Sequence, residues 1–342
     1  MTATPEPVRW GILATGKIAH SFARDLLLVP GAELVAVGSR RLESARRFAA
    51  AYDVPAAYGS YAELVADPAV EVVYVASPHA LHLEHARLAF EAGKHVLCEK
   101  PLTLSRAEGE EMVRLARHHD RFLMEAMWTA THPVVRQLVG DVRAGRFGTP
   151  HQLTAELGFH VEVPPEDRMV NPDLGGGALL DMGVYPLTFA HLVLGEAEEL
   201  HGVATLSPAG IDLDVAITGR YPGGALATMS ASMTSWSSRT AALATDRGRI
   251  LVEDFHHPTA ARFVPYAEGS NDDSALGEVV ELTGAEPVIG RGYGNEAAEV
   301  GRCVRAGLRE SPLVPHAQTL AVLGQLDDLR TQIGVVYPDE RR

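Results

Sequence analysis

Three side chains in this sequence have the types and spacing to move a proton beside a reacting carbon: Lys100, Asp181 and Tyr185. Lys100 lies in Cys98-Glu99-Lys100-Pro101, just past a short apolar run. At a strand end its charge would reach a bound cofactor and assist proton transfer. A plain exposed lysine before a turn proline is the alternative, and the strand-end position favours chemistry. Asp181 and Tyr185 lie in the run from Gly175 to Pro186, whose three leading glycines let the backbone approach a ligand or another element closely. Four positions apart, the two residues share one side of a helical turn. Pro186 suits the first turn of a helix running through Phe189 and Leu192 to Leu194, which predicts Tyr185 at a break between helices. With an ordinary pKa of about 10 a tyrosine is a poor acid at neutral pH, and a neighbouring lysine cation would lower that value. A helical Asp–Tyr pair used only for packing is the alternative.

These residues need a scaffold, and the first third of the chain supplies its pattern. Arg9 to Leu13, Leu34 to Val37, Val70 to Ala76, His95 to Cys98 and Phe122 to Ala126 read as strands. Between them lie amphipathic stretches. Ile18, Ala19, Phe22, Ala23, Leu26 and Leu27 predict one buried helical face, and Ala45, Phe48, Ala49 and Tyr52 a second. A third helix runs from about Leu81 to Glu91 with Gly93 as its left-handed cap, and Ser105 to Glu108 form a capping box for a fourth. Strand and helix in alternation predict an α/β fold, a doubly wound parallel sheet whose ligands bind at the carboxyl strand ends.

The loop after the first strand reads Ala14-Thr15-Gly16-Lys17-Ile18-Ala19. Gly16 would let the backbone approach a pyrophosphate at the positive end of the next helix. Ala14 departs from the dinucleotide fingerprint, which has glycine there. The second strand ends in Ser39-Arg40-Arg41, with no carboxylate before Glu43. An acid there would grip the ribose of NAD; a hydroxyl and two guanidinium groups suit a 2′-phosphate, so NADP(H) is expected over NAD. Solvated surface arginines are the alternative.

Composition narrows the classes. At 342 residues two domains are expected, residues 1–128 for the dinucleotide and 129–342 for substrate and oligomer contacts. The formal net charge of −14 argues against a nucleic-acid partner. No apolar run is read as a membrane span, and Met1 to Trp10 holds no apolar core of signal-peptide length, which predicts a cytoplasmic protein. Cys98 and Cys303 have no metal or redox spacing and read as buried thiols. His79, His82 and His85 recur every three residues without a four-ligand set, so no metal is expected. His79 and His82, with Ser77 and Pro78, are read as neighbours of the nicotinamide. His118-His119 and His256-His257 read as surface or turn histidines. Beyond Thr129, a helix from Val134 to Val142 precedes strands at Gln152 to Val163, near Ala204, and at Val215 to Tyr221, Ala225 to Met233 and Ala241 to Thr245. A helical tail covers Glu296 to Gly307 and Ala317 to Ile333. This predicts an α+β domain with a mostly antiparallel open sheet.

Together, the run from Trp10 to Ala19, Glu99-Lys100-Pro101, Met124 to Trp128 and Gly175 to Pro186 resemble the glucose–fructose oxidoreductase/inositol dehydrogenase/MocA-like family. Within it they look most like its NADP-dependent diol and sugar dehydrogenases. The resemblance implies that Ala14 to Ile18, Ser39 to Arg41, Ser77 to His79, His82, Glu99 and Lys100 hold the cofactor. It implies a cis bond before Pro101, Asp181 orienting the substrate, and Tyr185 as general acid/base. Trp128 and Phe159 would line the substrate pocket, with Arg168 beside it. The implied reaction is hydride transfer between nicotinamide and a carbinol carbon of a sugar, polyol or cyclic diol, in a homodimer or homotetramer. A cofactor-sensing regulator without catalysis is the rival; the intact set Lys100, Asp181 and Tyr185 favours an enzyme. A binding module for another nucleotide is weakened by the same three residues.

Overall fold

The computed structural model describes residues 6–267 and 276–337, so the first five residues of the stretch before Trp10 lie outside it. The chain divides into two compact units, Met1–Thr131 with Val288–Leu323, and His132–Pro287 with Gly324–Arg342.

The first unit alternates β1 (Val8–Leu13), α1 (Lys17–Leu26), β2 (Ala32–Gly38), α2 (Leu42–Tyr52), β3 (Ala56–Tyr58), α3 (Tyr61–Ala66), β4 (Val72–Val75), α4 (His82–Glu91), β5 (His95–Glu99), α5 (Arg106–His118), β6 (Leu123–Ala126) and α6 (Trp128–Thr131). Its six strands are all parallel in the order β3-β2-β1-β4-β5-β6. This is the dinucleotide-binding order, with the strand direction of travel reversing between β1 and β4. Because both faces are covered, β4 is buried at every position, and the near-continuous apolar run in the sequence reflects that. Tyr74 stacks on Phe22 at 3.8 Å, and Phe22 meets Trp10 at 5.6 Å, which fixes α1 on the sheet. The short β3 and α3 escape pattern reading, since three residues carry no usable period.

One face expectation fails. Leu27 is 53% exposed, and Asp25 is buried in its stead. Its carboxylate accepts the backbone N–H groups of Arg291 at 2.7 Å and Tyr293 at 3.1 Å. Gly290, with φ +64°, is held so close to Asp25 that a Cβ there would lie 2.2 Å from its oxygen. A carboxylate on the opening turn of a helix is favourable for charge and hydrogen bonding alike. The capping box at Ser105 forms as expected: its hydroxyl accepts from Glu108 N–H, and the Glu108 carboxylate accepts from Leu104 N–H.

The second unit holds α7 (Pro133–Arg143), β7 (Pro150–Gly158), α8 (Val184–Leu194), β8 (Glu199–Leu206), β9 (Asp212–Arg220), β10 (Leu226–Ser232), β11 (Ala241–Thr245), β12 (Gly248–Val252), β13 (Ala261–Pro265) and β14 (Val280–Leu282). Eight strands run in the order β14-β13-β12-β11-β7-β10-β9-β8, antiparallel except for the parallel pair β7/β10. α8 packs on β7 and β10, and the inward residues Leu153, Ala227, Met229 and Ile217 are buried against it. The apolar stretch Pro172–Leu194 does reach the length and composition of a membrane span, contrary to the sequence reading, but 89% of its most apolar 18 residues are buried inside the fold. Its C-terminal part, α8, is the core helix under this sheet.

Two last helices follow, α9 (Tyr293–Arg305) and α10 (His316–Ile333). A single division at 128/129 misses that 288–323 belong to the first unit. The ties are specific: Asp25 caps α9, the ring of Tyr293 stacks on Trp128 at 4.3 Å, and His316 and Thr319 bond to β6 at Leu123 and Glu125.

Candidate functional site

In the first unit the carboxyl ends of β1, β2, β4 and β5 carry the residues expected to hold a cofactor. Ala14 follows β1 with φ +79° and gives its N–H to the Gly38 carbonyl at 3.0 Å. The turn therefore keeps the left-handed conformation that glycine serves in the fingerprint, and alanine holds it at a cost. Ala14→Gly is expected to raise stability by about 0.5–1 kcal/mol, the relieved strain being partly offset by the freer unfolded chain. Denaturant titration checks this, and an equal or lower midpoint contradicts it.

Gly16 is the N-cap of α1, and a Cβ placed on it would meet nothing within 4 Å. The first turn of α1 carries no acid and no side-chain cap, so its N–H groups and the positive helix end face open space. Thr15 and Ser39 hydroxyls lie 3.4 Å apart across the two strand ends. Arg40 and Arg41 are exposed, while Ser39 is buried. An anion-accepting helix end with two exposed cations one strand away fits a phosphorylated dinucleotide.

The β4 and β5 ends are tied together by histidine. His82 has no exposed surface; one ring nitrogen faces the Ser77 carbonyl at 2.9 Å and the other the carbonyls of Pro101 and Leu102 at 3.0 and 3.2 Å. Burial pushes its pKa down to about 4 against those carbonyls, which act to raise it. The neutral ring donates from one nitrogen only, so His82 bonds to one of these loops while packed against the other, enclosed rather than open beside the expected nicotinamide. His85 is bonded through Nδ1 to the Ser77 hydroxyl at 2.8 Å and meets the Tyr61 ring edge. His79 is buried beside His82, with ring centres 5.7 Å apart. Pro78 caps the turn that bears it.

The peptide Lys100–Pro101 is cis, as the resemblance implied. Glu99 is buried; its carboxylate accepts the Tyr74 hydroxyl on one oxygen and Lys100 N–H, at 3.2 Å, on the other. Glu125 is buried beneath, accepting Leu102 N–H and the Thr319 hydroxyl, each at 2.9 Å. Burial raises its pKa to about 7, with those two bonds and the Lys100 charge opposing. A carboxyl bound more tightly to its proton when folded stabilises the fold at low pH. That contribution is lost as pH rises from about 4.5 toward about 7. Glu125→Gln is expected to flatten this fall, so the variant gains on the parent in thermal midpoint between pH 5 and pH 8; parallel curves contradict it.

In the second unit, Asp181 and Tyr185 are both buried, at 8% and 9% exposure. The expected break between helices is absent. Leu179–Gly183 form a π-helical turn that continues directly into α8, with Gly183 and Val184 in helical conformation. The wider turn resets the bonding register, so Pro186 enters without breaking the helix. The glycines ahead of it serve packing. A Cβ on Gly176 would lie 2.8 Å from Asn171 N and Met169 O, and one on Gly177, at φ +138°, 2.3 Å from Asp212. Asp212, buried, accepts the Leu179 N–H and so caps the π turn that bears Asp181, and burial raises its pKa to about 6. Arg168 pairs with Asp181 at 3.0 Å, which ties the loop before the glycines to the carboxylate.

Tyr185 has an unforeseen neighbour. His256, read as a surface or turn residue, is buried, with its ring centre 5.6 Å from that of Tyr185 and 6.4 Å from that of Phe159, both edge-on. Only a strand-and-turn reading of 253–265, missed in the sequence along with β13, would have placed it. Asp254, His256 and His257 bring ligand-type atoms within 4.8 Å of one another, but Asp254 is committed to Arg239 at 3.0 Å. Trp128, expected as a pocket wall, is 7% exposed and stacked on Tyr293 within the first unit.

Two family models cover most of the chain: an oxidoreductase family with an NAD-binding Rossmann fold matches residues 8–127, and the GFO/IDH/MocA C-terminal domain matches 135–251. The chain belongs to the GFO/IDH/MocA oxidoreductase family. Among its relatives, trans-1,2-dihydrobenzene-1,2-diol dehydrogenase of Mus musculus is 35% identical across 98% of this chain and 99% of its own length. The D-xylose 1-dehydrogenase (NADP(+)) of Hypocrea jecorina is 36% identical across 99% and 95%. Among solved structures, a 3-ketoreductase of Actinomadura kijaniata in complex with NADP and TDP-benzene superposes with a TM-score of 0.84 at 27% identity, covering 96% of this chain and 98% of the other. The two GFO/IDH/MocA matches divide the chain near residue 130, and the return of α9 to the first unit is a feature neither contains.

Proposed function

We propose that this GFO/IDH/MocA oxidoreductase is an NADP-dependent dehydrogenase acting on the CH–OH group of a sugar or cyclic diol. The observation that carries this is the buried Asp181, paired with the half-exposed Arg168 one helical turn from Tyr185, in a chain matching full-length diol and sugar dehydrogenases. NADP(H), when bound, accepts or supplies the hydride. The chain's own residues do the rest. The α1 N-terminus and Gly16 receive the pyrophosphate, with Ala14, Thr15, Lys17 and Ile18 shaping that turn. Ser39, Arg40 and Arg41 take the 2′-phosphate. Ser77, Pro78 and His79 flank the nicotinamide end, and Glu99 holds the backbone of Lys100. Lys100 stabilises the developing oxyanion, Tyr185 exchanges the hydroxyl proton, and Asp181, fixed by Arg168, orients the carbinol. Phe159 packs against the substrate.

The test is an NADP⁺ screen of aldoses, polyols and cyclic diols, read by NADPH absorbance. Turnover of no member of the panel would sink the reading.

The outer face of the eight-stranded sheet supports a homodimer or homotetramer. Its exposed positions on neighbouring strands include Val203 (71% exposed), Ala216, Thr218, Thr228 and Thr154, a small-residue patch bordered by Glu156, Asp214 and the Arg220–Glu199 ion pair. Such a face, opposite one covered by α8, matches a second copy of itself. Light scattering at micromolar concentration is expected to give at least twice 36.7 kDa, and Thr218→Arg to halve the assembly; a monomeric parent chain contradicts it. Two buried free thiols fit a cytoplasmic, reducing setting.

A further inference from the structure

Aromatic rings follow one another across the second unit from Tyr185 outward. Tyr185 meets His256, His256 meets Phe159, and Phe159 meets Trp236 edge-on at 6.4 Å and 79°. The first two steps are buried or half-buried, whereas Trp236 is 72% exposed. An exposed indole forgoes a large burial energy. The ring is nonetheless held. The guanidinium of Arg239 lies 5.3 Å from the Trp236 ring centre and 5.6 Å from that of Phe159, and its Nε is anchored by Asp254 at 3.0 Å. A fixed aromatic face open to solvent, linked to Tyr185 through the rings of Phe159 and His256, suits the apolar C–H face of a ring.

We propose that Trp236 is a specificity-determining wall of the substrate site, selecting ring-shaped carbinols over open-chain ones by stacking on the ring remote from the reacting hydroxyl. The proposal rests on the oxidoreductase reading above.

The test compares kcat/KM for trans-cyclohexane-1,2-diol with that for propane-1,2-diol, both with NADP⁺, in the parent protein, Trp236→Ala and Trp236→Phe. The ratio of cyclic to acyclic is expected to fall about tenfold in Trp236→Ala and to be largely kept in Trp236→Phe. An unchanged ratio overturns the proposal, as does an equal loss for both substrates. Tryptophan fluorescence provides a readout free of turnover: the cyclic diol is expected to change the parent's emission and not that of Trp236→Phe. If the parent oxidises no carbinol, the oxidoreductase reading falls; a ring-dependent fluorescence change would still support Trp236 as a ring-binding wall, and its absence would overturn that too.

Discussion

Tyr185→Phe is expected to lower the hydride-transfer rate by about 10²–10⁴-fold, the usual contribution of a positioned acid/base. The substitution deletes one hydroxyl and keeps the ring that packs edge-on against His256. Fold and cofactor affinity should therefore hold, and single-turnover kinetics should show the loss in the chemical step. Unchanged single-turnover rates would remove Tyr185 from the role. Lys100→Ala, made alone and with Tyr185→Phe, shows whether the two act on one carbinol: groups that work as a unit give losses far from additive.

Replacing Arg40 and Arg41 together by alanine is expected to weaken NADP(H) binding by about 10²-fold or more, since each charge-assisted bond to a phosphate is worth roughly 1.5–3 kcal/mol. NAD(H) binding should be nearly untouched, because it lacks the 2′-phosphate. Both guanidinium groups are exposed at the end of β2, so the loss is electrostatic rather than structural. The NADP(H) loss should shrink at high salt. Equal losses for both cofactors would contradict the assignment of this strand end.

Much of the architecture was legible because its signals are periodic. The buried run of β4, the amphipathic faces of α1 and α2, and the capping box at Ser105 follow from pattern and chemistry local to each segment. The fold class and the two Rossmann strand ends came from these. What stayed hidden was non-local. Asp25 looks like a surface acid until α9 arrives to be capped, 266 residues later. His82 sits in a promising place, yet it is enclosed among carbonyls of two loops, which only the tertiary fold reveals. His256 gave no periodic signal, being carried on a turn between strands, and only tertiary packing sets it against Tyr185. Ala14 shows the reverse: a residue out of pattern holds the conformation the pattern encodes, because the surrounding strands over-determine it. The π turn before α8 is invisible to a 3.6-residue period, which is why a break was expected at Tyr185.

The central claim, NADP-dependent dehydrogenation of a carbinol, is tested most directly by isotope transfer. The protein is given NADP⁺ and trans-cyclohexane-1,2-diol deuterated at its carbinol carbons, with NAD⁺ in a parallel reaction. The expected result is deuterium at C4 of the reduced nicotinamide, formed faster with NADP⁺ than with NAD⁺ and suppressed in Tyr185→Phe. Reduced cofactor without the label, or labelling that proceeds undiminished in Tyr185→Phe, would contradict the account.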